Sequence, residues 1–288
     1  MRILVTGASG AIGVRLVEAL RSRGLAVRAF VHRTEPPAHG GETVRGDLLD
    51  PSTLEAAVRG IDAVVHLAAR THARRARDYR ALNVDGTRRL LDACRSEGTG
   101  RFVFMSSGAA VPGGGAYSES KLEAEAIVRE RAREWVILRP REVYGPGMKE
   151  GIPRLLDWIR SGRRVPVIGS GRYELSPVHV DDVVQATAES VVRAEAAGRT
   201  FVLAGPESMT FLDLVDRLAA RAGVPRRIVR VPALPLRAAV ALLAPFGKGS
   251  LVPDQIPRLR VEKPSRIEEA RRHLDFRPRS LEEGLARG

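Results

Sequence analysis

Residues 6–13 read Thr6-Gly7-Ala8-Ser9-Gly10-Ala11-Ile12-Gly13, between the apolar run Ile3-Leu4-Val5 and a stretch, Val14 to Leu20, whose apolar residues recur at helical spacing. A strand, a glycine turn and a helix in this order leave few folds open. Gly7 permits the tight turn, Gly10 lets the backbone approach a pyrophosphate, and Gly13 lets the helix pack close to the strand. A diphosphate would then lie at the helix N-terminus, where unpaired N–H groups and the helix dipole favour negative charge. The loop residues Gly7, Ser9, Gly10, Ala11, Ile12 and Gly13 are therefore expected to hold a dinucleotide.

The remainder of the first half supports that reading. Short Val/Ile/Leu/Phe runs near 26–31, 42–45, 62–67, 101–106 and 135–139 alternate with helical stretches near 12–23, 52–59, 80–97 and 117–133. Such a βα series implies an α/β fold with a doubly wound, mainly parallel sheet of Rossmann type, covered on both faces. Gly24 is placed to end the first helix, and Ser52 with Glu55 reads as a capping box after Pro51. From about residue 148 the rhythm loosens and prolines multiply, while Ser176–Ala188 and Thr200–Gly205 read as a helix entry and a strand returning to the sheet. The expected division is a dinucleotide-binding domain of residues 1–148 and 176–205, with a smaller, discontinuous C-terminal substrate domain of 149–175 and 206–288.

Composition narrows the classes. The net charge of +13 invites a nucleic-acid reading, but Lys occurs only at 121, 149, 248 and 263, leaving 43 of the 47 basic residues as Arg. That skew fits a GC-rich coding sequence, and no basic surface interleaved with aromatics accompanies it, so no nucleic-acid role is expected. The lone cysteine, Cys94, excludes an internal disulfide and reads as a core thiol. No charged leader with an apolar segment precedes the first strand, and the apolar stretch Val231–Phe246 is too short and too interrupted to span a bilayer, so a cytoplasmic protein without a membrane span is expected. That stretch reads instead as a helix packed in the C-terminal domain.

The most specific chemical signal is Tyr117-Ser118-Glu119-Ser120-Lys121, which opens a predicted helix after a glycine-rich loop. Residues four apart share a helix face, and a neighbouring ammonium favours the phenolate, which brings a phenol toward use as a general acid or base. Ser106-Ser107 ends the preceding strand, where the carboxyl ends of parallel strands border a ligand crevice. A hydroxyl there could hydrogen-bond a substrate oxygen. His66 has no second ligand at metal spacing, so a structural or cofactor-contact role is expected and no metal site; His72 carries no assignment.

At this point the chain resembles the extended short-chain dehydrogenase/reductases, grouped as the NAD-dependent epimerase/dehydratase family. The resemblance runs through TGASGAIG at 6–13, GDLLD at 46–50, VVHLAA at 64–69, NVDGT at 83–87, SS at 106–107, YSESK at 117–121, LRPREVYGPG at 138–147 and PVHVDD at 177–182. It implies that Asp47 and Leu48 contact adenine, that His66, Leu67, Ala68 and Ala69 lie along the ribose and phosphates, and that Asn83 supports the active-site helix. It further implies that Tyr117 transfers a proton, that Lys121 binds the nicotinamide ribose and depresses the tyrosine pKa, and that Ser107 orients the substrate oxygen. Arg139, Pro140, Val143 and Tyr144-Gly145 would shape the nicotinamide end. A homodimer built from the helices near 84–97 and 117–133 is also implied, although Glu119, Glu123, Glu125, Arg129 and Glu130 make the second helix polar. His179, Asp181 and Asp182 read as local structure at a helix start.

Three departures from the family pattern matter. The serine pair continues into Gly108-Ala109-Ala110 instead of Val-Tyr-Gly, so the catalytic serine is Ser107, or Ser106 if the register slips. Leu175-Ser176 stands where sugar-nucleotide members carry an Arg-Asp pair, which leaves Arg172 and Tyr144 as candidate substrate contacts. The end of the second strand carries His32-Arg33 with no carboxylate before Glu35, and a guanidinium there can pair with a 2′-phosphate, which favours NADP(H) over NAD(H).

The expected function is an NAD(P)-dependent oxidoreductase moving hydride at a secondary alcohol or ketone carbon of a small-molecule substrate, with Ser107, Tyr117 and Lys121 as catalytic residues. An NDP-sugar 4-epimerase or dehydratase with retained NAD is the alternative, and a cofactor-binding subunit without turnover is the third reading.

Overall fold

The computed structural model describes residues 1–34, 41–232, 257–258 and 261–286. The expectation for Val231–Phe246 falls almost wholly outside the described residues, as does Glu35. The strands β1 (Arg2–Thr6), β2 (Ala26–Val31), β3 (Glu42–Arg45), β4 (Ala63–His66), β5 (Arg101–Met105) and β6 (Glu134–Pro140) join a late strand to form one sheet. Between Pro140 and that late strand come β7 (Val143–Tyr144), β8 (Val165–Ile168), β9 (Glu174–Leu175) and β10 (Val178–His179); the late strand is β11 (Arg199–Leu203). The sheet order is β11-β6-β5-β4-β1-β2-β3, and every pairing in it is parallel. The order reverses beside β1, which opens a crevice at the carboxyl ends of β1 and β4.

Both faces of the sheet are covered, as the unbroken apolar strands require. Along β1, Ile3 and Val5 enter one core and Leu4 enters the other. The first core is closed by α1 (Ala11–Ser22) and by α7 (Val180–Val192), which packs on α1. The second is closed by α2 (Pro51–Val58), α4 (Thr87–Ser96) and α5 (Ala116–Arg131), through Leu54, Leu90, Leu91, Ala124 and Val128. Gly24 takes φ +75° just past the end of α1, as a C′ glycine does. The cap of α2 differs from the expected one: Asp50, not Ser52, is the N-cap, accepting from the Ser52 N–H, and Pro51 occupies the first turn where its missing N–H is harmless.

The helix expected near 80–97 is interrupted. A short turn, α3 (Ala76–Tyr79), passes into a π-helical segment, Arg80–Gly86, before α4 begins at Thr87. A π-helical turn re-aims side chains within a helix. Here it carries Asn83, whose partners define part of the site described below.

A second lobe joins α6 (Ile152–Arg160), α8 (Phe211–Ala222) and three short strand pairs, in which β10 pairs with β7, β12 (Met209–Thr210) with β9, and β13 (Ile228–Val231) with β8. Its core gathers Ile152, Ile159, Val165, Leu214, Val215 and Leu218. The tail is shared between lobes: Ile267, Ala270, Leu274 and Phe276 bury in the first core of the sheet, whereas Leu281 buries in the core of the second lobe. The stretch 206–288 is therefore not confined to one unit.

Tyr144 lies beneath the last helix, Leu281–Ala286. Its hydroxyl donates to the Ser280 carbonyl at 3.2 Å, and a Cβ on Gly284 would overlap that hydroxyl and come within 2.7 Å of Tyr144 Cζ. Gly284→Ala is expected to lower stability by about 1–3 kcal/mol through overpacking, against roughly 0.5–1.5 kcal/mol for Tyr144→Phe. Urea unfolding of the two variants checks the ranking.

Candidate active site

The glycine loop is shaped by steric exclusion. Gly7 sits at φ +68°, and a Cβ there would come within 2.8 Å of the Ala68 nitrogen. A Cβ on Gly13 would overlap the Gly7 carbonyl oxygen and lie 2.8 Å from Ala8 Cα, so the helix can approach the strand only without a side chain. Gly10 differs, because its missing Cβ would meet just the Gly7 carbonyl oxygen at 3.3 Å. The protein leaves that space open to a close approach from outside. Gly10 is also the N-cap of α1, with no side-chain cap and no acidic residue in the first turn. An uncapped helix N-terminus beside an open cradle fits the diphosphate of a dinucleotide.

From this loop a hydrogen-bond chain runs to the helix that bears Tyr117. The Ala68 N–H donates to Thr6 Oγ1 at 3.3 Å, and Thr6 Oγ1 lies 2.7 Å from His66 Nδ1. On the other ring edge, His66 Nε2 lies 3.1 Å from Thr87 Oγ1, whose hydroxyl donates to the Asn83 carbonyl at 2.7 Å. Because Thr87 has given its proton to Asn83, it accepts from Nε2–H; Nδ1 is then the acceptor for Thr6. Burial, followed by the charge of Lys121, holds the His66 pKa down at about 3, so the ring is a neutral spacer in this chain. Asn83 then donates to Ser120 Oγ at 3.0 Å and to the Arg70 carbonyl at 3.1 Å, and accepts from the Arg70 N–H at 2.8 Å.

Ser106 and Ser107 separate cleanly. Ser106 Oγ donates to Glu125 Oε1 at 2.6 Å in the interior, whereas Ser107 Oγ, half-buried, accepts the Ala109 N–H at 3.1 Å. Glu125 itself is fully buried, not part of a polar outer face of α5 as its sequence context suggested. It accepts from Arg139 at 2.7 Å on both oxygens and from Arg129 at 2.9 Å. Burial alone would raise its pKa, but the hydrogen bonds from Arg139 and Ser106, the Arg139 charge and the Arg129 bond together bring it below the usual carboxylate range. Arg139, expected at the nicotinamide end, is thus committed to Glu125. The signal for this network was the spacing of Lys121, Ala124, Glu125 and Val128 on the inward face of α5.

Lys121 lies one turn before Glu125 and is buried. Its ammonium donates to the Met105 carbonyl at 2.7 Å and stands 4.1 Å from the Phe104 ring centroid. Burial pulls its pKa from 10.5 down to about 7, partly offset by Glu125. Tyr117, on the same face of α5, packs with Ala73 and Tyr79, its ring edge-on to Tyr79 at 5.8 Å.

Other candidates fall at the margins. His32 Nε2 lies 3.4 Å from Asp47 Oδ2 at the ends of β2 and β3, with Arg33 exposed beside them and Leu48 buried below. Pro140 is buried and accepts the Gly108 N–H at 2.7 Å. Tyr144 is turned to the last helix, and Arg172 is exposed in the turn after β8. His179 caps α7 by accepting the Asp181 N–H, while Asp182 is held bidentately by Arg279. No group of three His, Cys, Asp or Glu among the described residues is placed to hold a metal ion.

Fold and site together define a doubly wound α/β protein with a glycine-lined loop at an uncapped helix N-terminus. The model of the NAD dependent epimerase/dehydratase family matches residues 3–204, and the chain belongs to that family. A 2-alkyl-3-oxoalkanoate reductase of Stenotrophomonas maltophilia is 31% identical, the match covering 100% of this chain and 98% of that protein. A UDP-glucose 4-epimerase of Vibrio cholerae is 27% identical over 98% of this chain and 93% of its own. MoeE5, solved with UDP-glucose and NAD, superposes with a TM-score of 0.80 at 26% identity, covering 99% of this chain and 96% of its own. The chain is an NAD(P)-dependent enzyme of this family.

Two outcomes follow from the geometry. Ser106→Ala is expected to destabilise the fold by about 1–3 kcal/mol by removing a bond to a buried carboxylate, whereas Ser107→Ala leaves the melting temperature near wild type. Because Lys121 binds its proton more weakly folded (about 7) than unfolded (10.5), its penalty on stability is full below pH 7 and fades as pH rises toward 10.5. The stability advantage of Lys121→Met over wild type, read from urea unfolding at pH 6.5 and 9, is therefore expected to shrink at the higher pH.

Proposed function

We propose that this chain is an NADP(H)-dependent reductase of a ketone, acting in the reverse sense as a secondary-alcohol dehydrogenase. The observation that supports the reading is the division at the end of β5, where Ser106 is withdrawn into the Glu125 network, Ser107 stays half-buried outside it, and the Met105 carbonyl just before them takes the Lys121 ammonium. The bound nicotinamide would supply the hydride to the carbonyl carbon. Tyr117 gives its phenolic proton to the carbonyl oxygen, and Ser107 donates a hydrogen bond to the same oxygen as charge develops on it. Lys121, fixed by the Met105 carbonyl, places a proton-binding group one turn from the phenol and favours its deprotonated form.

Gly7, Ser9, Gly10, Ala11, Ile12 and Gly13 would hold the diphosphate, with Asp47, Leu48, Leu67, Ala68, Ala69, Pro140 and Val143 along the rest of the dinucleotide. The guanidinium of Arg33, with His32 beside it, supports a 2′-phosphate and hence NADP(H). A match with the oxoalkanoate reductase over both whole chains supports a carbonyl substrate. We read the chain as cytoplasmic and dimeric through α4 and α5; no helix among the described residues is long and apolar enough to cross a membrane.

The test is mass spectrometry of any nucleotide released from freshly purified protein, followed by titration with NADPH and NADH and a ketone panel. The expected outcome is an empty protein that binds NADPH more tightly and reduces ketones. Tyr117→Phe is expected to retain cofactor affinity while turnover falls by roughly 10²- to 10⁴-fold. Stoichiometric NAD that resists dialysis would instead favour the epimerase cycle, and activity unchanged in Tyr117→Phe would remove the proton role.

A further inference from the structure

The turn Gly145-Pro146-Gly147-Met148, which follows β7, lies against the start of α1. A Cβ on Gly147 would stand 3.6 Å from Ala11 Cβ and 3.9 Å from Ala11 Cα, and Ala11 is the first residue of the helix whose uncapped N-terminus forms the cradle. On its other side the turn is seated on buried His179, because a Cβ on Gly145 would come within 2.8 Å of His179 Nε2. The Met148 N–H donates to the Gly145 carbonyl at 3.1 Å, and the two glycines take φ +123° and +84°. Glycine-rich chain of this kind has many other conformations open to it, so its position depends on what holds it from outside.

Arg15, one turn along α1 from Ala11, supplies that hold. Its Nε donates to the Pro146 carbonyl at 3.2 Å, while Nη1 donates to Asp181 Oδ1 at 2.7 Å. Asp181 belongs to the first turn of α7, where its N–H donates to His179 Nδ1 at 3.3 Å, and its other oxygen lies 3.9 Å from Arg279 Nη1. The planar fork of Arg15 thus ties α1, the turn after β7 and the start of α7 together. Arg15 and Asp181 are 33% and 40% exposed. A pair so hydrated adds little to folding, which leaves the placement of the turn as its main consequence.

We propose that Arg15 and Asp181 latch this turn against the edge of the diphosphate cradle and so set how fast the bound dinucleotide leaves. This rests on the dinucleotide placement proposed above, not on the carbonyl chemistry. That placement runs from Ala11 to Val143, and the turn joins the same two regions, starting just after Tyr144 and touching Ala11. The cofactor leaves when the turn swings away from Ala11, and the two bonds of Arg15 oppose that movement. Arg15 is a positioning residue in this scheme: it governs the lifetime of the complex.

The test is stopped-flow displacement of bound NADPH by excess NADP⁺, or of NADH by NAD⁺ should NADH bind more tightly, followed by nicotinamide fluorescence. In Arg15→Met dissociation is expected to be about tenfold faster than in wild type, the scale of one charge-assisted hydrogen bond. Arg15→Lys keeps the charge but not the fork, and Asp181→Asn removes a negative charge; both are expected to speed dissociation as well. Charge acting directly on the diphosphate predicts otherwise, because Asp181→Asn would then slow dissociation and Arg15→Lys would leave it unchanged. Either of those results, or a wild-type rate in Arg15→Met, overturns the latch. Urea midpoints near wild type are expected for all three variants, and a midpoint that falls in step with faster dissociation would make Arg15 merely structural.

A second readout needs no cofactor. Hydrogen exchange of the Met148 N–H in the cofactor-free protein is expected to be faster in Arg15→Met than in wild type, and unchanged exchange overturns the latch. Gly10→Val fills the cradle and is expected to abolish dinucleotide binding, whereas wild-type affinity in that variant would refute the diphosphate placement itself. A protein that reduces no ketone but shows the expected dissociation rates keeps the latch and loses only the reductase reading.

Discussion

Glu125 is a carboxylate with no exposure to solvent, held by Arg139, Arg129 and Ser106. A charge so placed is tolerable only when its oxygens are fully bonded, and here they accept four hydrogen bonds from three residues. Those residues come from the end of β5, from α5 and from β6, so satisfying one carboxylate fixes the relative placement of three elements. It draws Ser106 into the interior, while Ser107, the next residue, stays half-buried outside that network. Taking away one arginine would strand a buried charge, a far larger penalty than the loss of an exposed ion pair.

The polar groups around this carboxylate are arranged so that charge is confined. His66 is neutral because burial and the neighbouring ammonium both oppose its protonation, so it can hand hydrogen bonds from Thr6 to Thr87 without adding charge. Lys121 is buried against a carbonyl and an aromatic face, and its proton is held more loosely than in water. The chain from the glycine loop through His66, Thr87 and Asn83 to Ser120 means that the cradle and the Tyr117 helix are parts of one hydrogen-bonded frame. Coupling of this kind makes the position of Tyr117 sensitive to residues that touch neither substrate nor cofactor.

The second lobe works differently. Its strands are pairs of two to four residues, too short to specify a sheet by themselves, and they are held by side-chain packing around Ile159, Leu214 and Leu218. The tail then threads both lobes, burying Leu274 and Phe276 in one core and Leu281 in the other. Arg141 and Glu142 hold it at residues 263–264, and Arg258 stands over the Tyr117 ring, more than a hundred residues distant in the chain.

What the sequence determined by itself was local and periodic. The glycine spacing at 7, 10 and 13, the alternation of β and α segments, the capping glycine at 24 and the Tyr117/Lys121 spacing depend on contacts within a few residues, and each was legible before any coordinates. The return of Thr200–Leu203 to the sheet was legible too, because a buried parallel strand must be apolar throughout. Tertiary structure decided the rest. Glu125 looked like surface because periodicity does not reveal that Arg139 and Ser106 converge on it from other elements, with Arg129 one turn along its own helix. The π-helical turn at Asn83 was invisible because it satisfies partners in the 70s loop and in α5. Arg258 carried no motif at all, and its approach to the Tyr117 ring is a contact between distant parts of the chain. Local geometry is encoded in neighbouring residues, whereas the pairing of buried charges is settled only when distant segments meet.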